Sequence, residues 1–140
     1  MAKILIVDDQ RCIQEFLSEE LMVEGYQVRA VSDVESASGY LRFSQPDLVL
    51  LDLFLDEADG FWVFAEIKRQ EPRLPVIIFT AYDSFREDPR LSQADGYVIK
   101  SMILDELKER IAGVLKERQP MDAPAEAGPR LQKPCTVRAV

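Results

Sequence analysis

The chain has 140 residues, with 17 Lys and Arg against 25 Asp and Glu and a formal net charge of −8. An apolar fraction of 47% beside 30% charged residues describes an ordinary globular chain, long enough to bury a core without disulfides or metals. The acidic balance argues against a general nucleic-acid or anionic-membrane binder. The absence of histidine excludes His-type zinc sites, Ser-His-Asp triads and histidine acid/base chemistry.

The opening run Ile4-Leu5-Ile6-Val7 is too short for a signal-peptide core and meets Asp8 and Asp9 at once. It predicts a first strand instead, and a cytoplasmic location is the expectation. Ile13, Phe16, Leu17 and Leu21 follow helical spacing, and Gly25 closes that helix. Residues 26–31 predict a second, weaker strand. Asp33 is placed to cap a helix carrying Val34, Ala37 and Leu41 on one face. After Pro46, residues 47–52 begin the most apolar strand, which belongs at the centre of a parallel sheet because both its faces are apolar.

Asp59 and Gly60 precede a helix to about Gln70 with Phe61, Phe64 and Ile67 inward. Val76-Ile77-Ile78-Phe79 is the fourth strand. Residues 83–94 are poorly patterned, and Pro89 breaks or shortens any helix there. Residues 96–99 form the fifth strand. The last helix carries Ile103, Leu107, Ile111 and Leu115 and ends near Arg118, so residues 1–118 read as one domain. Residues 119–140 hold four of the eight prolines and no periodicity, which predicts a disordered Pro/Ala-rich tail. Cys12 and Cys135 lie far apart and read as unpaired thiols in a reducing compartment.

Strict strand–helix alternation implies an α/β, doubly wound parallel sheet, whose chemistry collects at the carboxyl ends of the strands. Those ends bear Asp8 and Asp9, Asp52, Thr80 and Lys100. Each residue alone has a structural explanation, as a cap, a turn or a solvated lysine. Together they place three carboxylates, a hydroxyl and an ammonium on one edge. Clustered carboxylates repel unless a cation joins them, and oxygen-only donors suit Mg²⁺. Such a set is also equipped for phosphoryl transfer.

These residues resemble the receiver domain of bacterial two-component response regulators. The resemblance rests on Ile4-Leu5-Ile6-Val7-Asp8-Asp9, the strand ending in Asp52, Asp59-Gly60, Phe79-Thr80-Ala81, and Gly96-Tyr97-Val98-Ile99-Lys100. It implies a flavodoxin-like receiver fold with strand order 2-1-3-4-5. It also implies a single-domain regulator taking phosphate on Asp52 from a sensor histidine kinase or histidine phosphotransfer protein. With no histidine the chain cannot be its own donor. Asp9 and Asp52 would bind Mg²⁺ directly, Asp8 through water, and the Phe54 carbonyl would add a ligand. Lys100, Thr80 and Ala81 would bind the phosphoryl group, and Thr80 and Tyr97 would move as the switch. Phe54 and Tyr82 would crowd the approach of hydrolytic water and slow dephosphorylation.

The resemblance implies no enzyme beyond Mg²⁺-dependent self-phosphorylation and self-dephosphorylation. A downstream protein target would be reached by contact or phosphorelay, with neither nucleic acid nor membrane as partner. Asp56 and Ser101 stand where the family often has proline, which leaves the loop after Asp52 more mobile or more acidic and favours a trans Lys100–Ser101 bond. A phosphate-independent scaffold is the competing reading, and the intact set of acids and lysine disfavours it. An autonomous hydrolase is weaker, since no external substrate pocket is evident.

Overall fold

The computed structural model describes residues 1–55 and 58–122. Strands β1 (Lys3–Val7), β2 (Gln27–Val31), β3 (Leu48–Leu51), β4 (Val76–Thr80) and β5 (Gly96–Ile99) form one sheet. Every pairing is parallel and the order is β2-β1-β3-β4-β5, as expected. Helices α1 (Arg11–Val23), α2 (Val34–Ser44), α3 (Gly60–Gln70) and α4 (Asp105–Asp122) cover it. No helix among the described residues is long and apolar enough to cross a membrane.

Alternation within the strands divides the core in two. Leu5, Val7, Val49, Leu51, Val76 and Ile78 face one side and pack on α2 and α3 through Ala37, Leu41, Val63, Phe64 and Ile67. Ile4, Ile6, Leu48, Leu50, Ile77 and Val98 face the other and meet Leu17 and Leu21 of α1 and Leu107 and Ile111 of α4. All four residues of β3 are buried, because both faces of a central parallel strand are covered.

Local chemistry sets the helix ends. Asp33 caps α2, its carboxylate accepting from the Ser36 N–H at 2.7 Å. Asp59 caps α3 the same way through Phe61 N–H at 3.0 Å. Gly25 follows α1 at φ +99°, with its own N–H donating to Met22 and that of Tyr26 to Leu21, a Schellman closure that glycine alone enters without strain. Tyr26 is used in that closure rather than in β2.

Two expectations for the last helix need correction. Ile103 precedes α4 and is exposed, while Leu104 is the residue that packs inward. Helix α4 passes the expected end at 118 and reaches Asp122, so residues 119–122 are helical backbone. The rest of the expected tail, including Cys135, lies outside the described residues, as does Asp56; Cys12 is a free, exposed thiol. Residues 83–94 behave as expected, with only a 3₁₀ turn at Pro89–Leu91. No peptide bond is cis among the described residues, Lys100–Ser101 included.

Gly60 sets the loop that leaves β3. Its N–H donates to the Leu53 carbonyl at 3.0 Å, and a Cβ there would lie 2.4 Å from the Leu53 backbone. Backbone cannot yield as a side chain can. Gly60→Ala should therefore destabilise the protein by about 1–3 kcal/mol, the usual cost of overpacking, read as a lower urea midpoint. A midpoint equal to wild type would show that the Leu53 turn moves freely.

Candidate functional site

The sheet ladder continues one residue past three strands and fixes the site's backbone. Asp8 N–H donates to Val31 O at 3.1 Å, Asp52 N–H to Val7 O at 3.0 Å, and Lys100 N–H to Thr80 O at 2.7 Å. Four strand ends are thereby held in register, and their side chains converge.

Lys100 Nζ lies 2.9 Å from Asp52 Oδ2 and 2.9 Å from Asp8 Oδ2. Both acids are nearly sealed, Asp8 at 2% and Asp52 at 6% exposure. Carboxylate oxygens of Asp8, Asp9 and Asp52 all fall within 4.8 Å of one another. Asp9, at the rim, is half-buried. Phe54 N–H donates to Asp52 Oδ1 at 3.2 Å, and Phe54 pairs with Asp59 across the loop.

Burial pushes the Asp8 carboxyl above its ordinary 3.8; the Gln10 N–H and Lys100 pull it down, and Asp52 adds to the rise. For Lys100 burial acts downward, but its bonds to Asp8 and Asp52 prevail and hold it above 10.5. Hard oxygen donors, an excess of negative charge and a half-open rim fit Mg²⁺. Asp8, Asp9 and Asp52 are the residues that would hold it.

Thr80 is fully buried at the end of β4, and among the described residues its Oγ1 is the buried side-chain atom with no hydrogen-bond partner. Ala81 follows it and is exposed. Tyr97 is 8% exposed, with its hydroxyl donating to the Tyr82 carbonyl, so its ring is already inward. Arg86 lies over that ring at 5.0 Å and donates to the Tyr97 carbonyl at 3.1 Å. The Phe54 and Tyr82 rings meet edge to face at 4.8 Å, both about half exposed, and Phe54 also leans on Phe85 at 5.4 Å.

Asp8, Asp9, Asp52 and Lys100 thus gather at one edge of the sheet, with Thr80 at the end of β4. The sequence reading missed Gln10, Gln14, Phe85 and Arg86. Gln10 Oε1 accepts from Lys100 Nζ at 3.2 Å. Gln14 Nε2 donates to the Asp8 carbonyl and, at 3.0 Å, to Ser32 Oγ. The two glutamines are spaced four apart at the start of α1, a pattern visible in the sequence once that helix is placed.

A family model for the response regulator receiver domain matches residues 4–112, and the chain belongs to that family. Response regulator MprA of Mycolicibacterium vanbaalenii is 33% identical over 129 residues, which cover 89% of this chain and 55% of that protein. The chain spans about half the length of the curated relatives it matches. Response regulator TrrA of Thermotoga maritima, solved in complex with Mg²⁺-BeF, is 38% identical with a TM-score of 0.78, covering 81% of this chain and 99% of that one. A structure of histidine kinase ThkA in complex with TrrA matches at 38% identity and a TM-score of 0.77, over 82% and 99% of the respective chains. The fold is that of the two-component receivers.

Two outcomes follow from this geometry. Replacing the buried orphan hydroxyl by a methyl of the same shape removes a desolvation cost, so Thr80→Val should stabilise the metal-free protein by about 1 kcal/mol in urea unfolding. Loss of stability would mean that Thr80 Oγ1 has a partner in solution. Because the folded Asp8 pKa is raised, Asp8 favours folding below 3.8 and loses that contribution as pH climbs through its folded value. Bound Mg²⁺ must displace that proton. The rise in Tm on adding Mg²⁺ should therefore shrink from neutral pH toward about pH 4; a constant increment would separate Asp8 from the metal site.

Proposed function

We propose that this receiver is a phosphorylation switch in which Asp52 is the phosphoacceptor. The observation that carries the reading is the Asp52 carboxylate, held at a strand end 2.9 Å from the Lys100 ammonium inside a cluster of three acids. TrrA, solved both with Mg²⁺-BeF and in complex with histidine kinase ThkA, supports it by analogy. The donor is a phosphohistidine on a sensor histidine kinase or a histidine phosphotransfer protein.

A carboxylate oxygen of Asp52 bonds to phosphorus in line as the donor's P–N bond breaks. The imidazole nitrogen keeps the electron pair and takes a proton. Lys100 donates to a phosphoryl oxygen, and the unpaired Thr80 hydroxyl, with the Ala81 N–H beside it, supplies the next donors. Asp9, Asp52 and the Phe54 carbonyl would hold Mg²⁺ directly and Asp8 through water, and the ion would neutralise charge on the phosphoryl oxygens. Thr80 and Tyr97 then carry the switch, and the state of the receiver passes to a protein target by contact or by onward phosphoryl transfer.

Phe54 and Tyr82 leave the aspartyl phosphate long-lived. The two packed rings would crowd the approach to Asp52 and offer little help in orienting a water.

Asp52→Asn should abolish Mg²⁺-dependent labelling by acetyl phosphate while the circular dichroism spectrum stays that of wild type. Undiminished labelling would overturn the assignment of Asp52. In the phosphorylated protein, Phe54→Asn and Tyr82→Glu should each speed decay on the order of tenfold, because they open the approach and add a polar group to hold water. If neither changes the half-life, the rings do not control the attacking water.

A further inference from the structure

We infer that Gln10 is a positioning residue for Lys100, setting where the ammonium stands before phosphoryl transfer; the inference rests on the reading of Asp52 as phosphoacceptor. Gln10 is the N-cap of α1, with extended backbone at φ −90° and ψ 111°, yet its side chain makes no cap hydrogen bond. N-caps favour short side chains that fold back on the helix's first N–H groups, and glutamine is one methylene longer than the asparagine that does this well. Its reach is used elsewhere. The Gln10 N–H donates to Asp8 Oδ1 at 2.9 Å, and its Oε1 accepts from Lys100 Nζ at 3.2 Å.

A lysine ammonium carries three hydrogens and no acceptor. Here each has a destination: Asp8 Oδ2 and Asp52 Oδ2, both at 2.9 Å, and Gln10 Oε1. The first two acceptors are buried anions, whereas Gln10 is a neutral acceptor on the exposed side. A neutral oxygen completes the ammonium's shell without adding a fourth negative charge to compete with an incoming phosphoryl group.

Position in the fold explains why such a clamp is needed. Gln10 follows β1 and Lys100 follows β5, strands separated by β3 and β4 in the sheet. Beyond Lys100, residues Ser101, Met102 and Ile103 are all exposed, so no packed side chain fixes the lysine from that direction. Gln10 holds Asp8 with its backbone and Lys100 with its side chain, and so ties the two edges of the site together.

The discriminating variant is Gln10→Asn, in the full chain. It keeps an amide and improves the cap but cannot span the distance to Lys100; Gln10→Met keeps the length and loses the acceptor. Two quantities are read for each: hydrogen exchange of the Lys100 ammonium by NMR in the metal-free protein, and the labelling rate at saturating acetyl phosphate and Mg²⁺. Both variants should exchange faster and label about two- to tenfold more slowly, the span of one net hydrogen bond, with Gln10→Asn at least as heat-stable as wild type. Wild-type exchange in both variants overturns the inference, as does slowed labelling that only tracks lost stability. If wild type itself does not label, the phosphoacceptor reading fails, and the ammonium exchange still decides whether Gln10 holds Lys100.

Discussion

One ammonium between two nearly sealed carboxylates is the constraint around which this sheet edge is built. Asp8 and Asp52 would repel each other in so dry a place, and Lys100 at 2.9 Å from each is what lets both sit there. Asp9 brings a third carboxylate within 4.8 Å of the other two and adds to the concentration of negative charge. Such a group of charges would spread if its supports were soft. They are not: the backbones of Asp8, Asp52 and Lys100 are each fixed by a ladder hydrogen bond, and the strands beneath are buried on both faces by apolar side chains. The two cores thus do more than stabilise the fold. They hold the strand ends against electrostatic strain, leaving a site that gains when a cation or a group with acceptors for Lys100 enters.

The degree to which this was legible in the sequence follows from how local each cause is. The acids, Thr80 and Lys100 could be placed because each ends an apolar run, and a parallel sheet brings such ends together. Gly60 stood out as a residue but not as a contact, since its closeness to Leu53 depends on the path of the loop. The last helix starts at Asp105, and the inward residue just before it is Leu104 rather than the expected Ile103. Ile103 and Leu104 are both apolar, and only the turn after Lys100, where Ser101 Oγ accepts from Ile103 N–H at 3.1 Å, determines which of them packs inward. Gln10 and Gln14 were missed because glutamine carries no charge and fits equally well on a solvated helix.

Residues 83–94 show order without periodicity. No helical stripe exists there, yet Leu91 is buried and Phe85 packs on Phe54 and Phe61. Two arginines complete the wall. Arg90 lies 3.7 Å over the Phe61 ring and pairs with Asp88, while Arg86 pairs with Asp83 and covers Tyr97. Contacts of this kind join side chains from separate elements, so they leave no periodic signal. Their effect is to bind Tyr97 to this wall by its ring, its carbonyl and its hydroxyl.

That anchoring bears on where the energy of switching resides. Tyr97 is inward and hydrogen-bonded to the Tyr82 carbonyl, so an inward movement of its ring would add little burial. Thr80 differs, being fully buried with a hydroxyl that lacks a partner. An unmet buried donor costs about 1–3 kcal/mol, and that cost is recovered when an acceptor arrives. Coupling energies between sites in proteins are typically also about 1–3 kcal/mol, or roughly 5–150-fold in an equilibrium. In the proposed switch, satisfying this one hydroxyl would therefore be enough to bias the end of β4 between two states. Tyr82, two residues further on, touches both Phe54 beside the acids and Tyr97 on β5. A shift at the end of β4 must disturb one of those contacts or carry both, and through them it reaches the outer edge of the sheet. In the proposed switch the leverage would lie in Thr80, and Tyr97 would report its position.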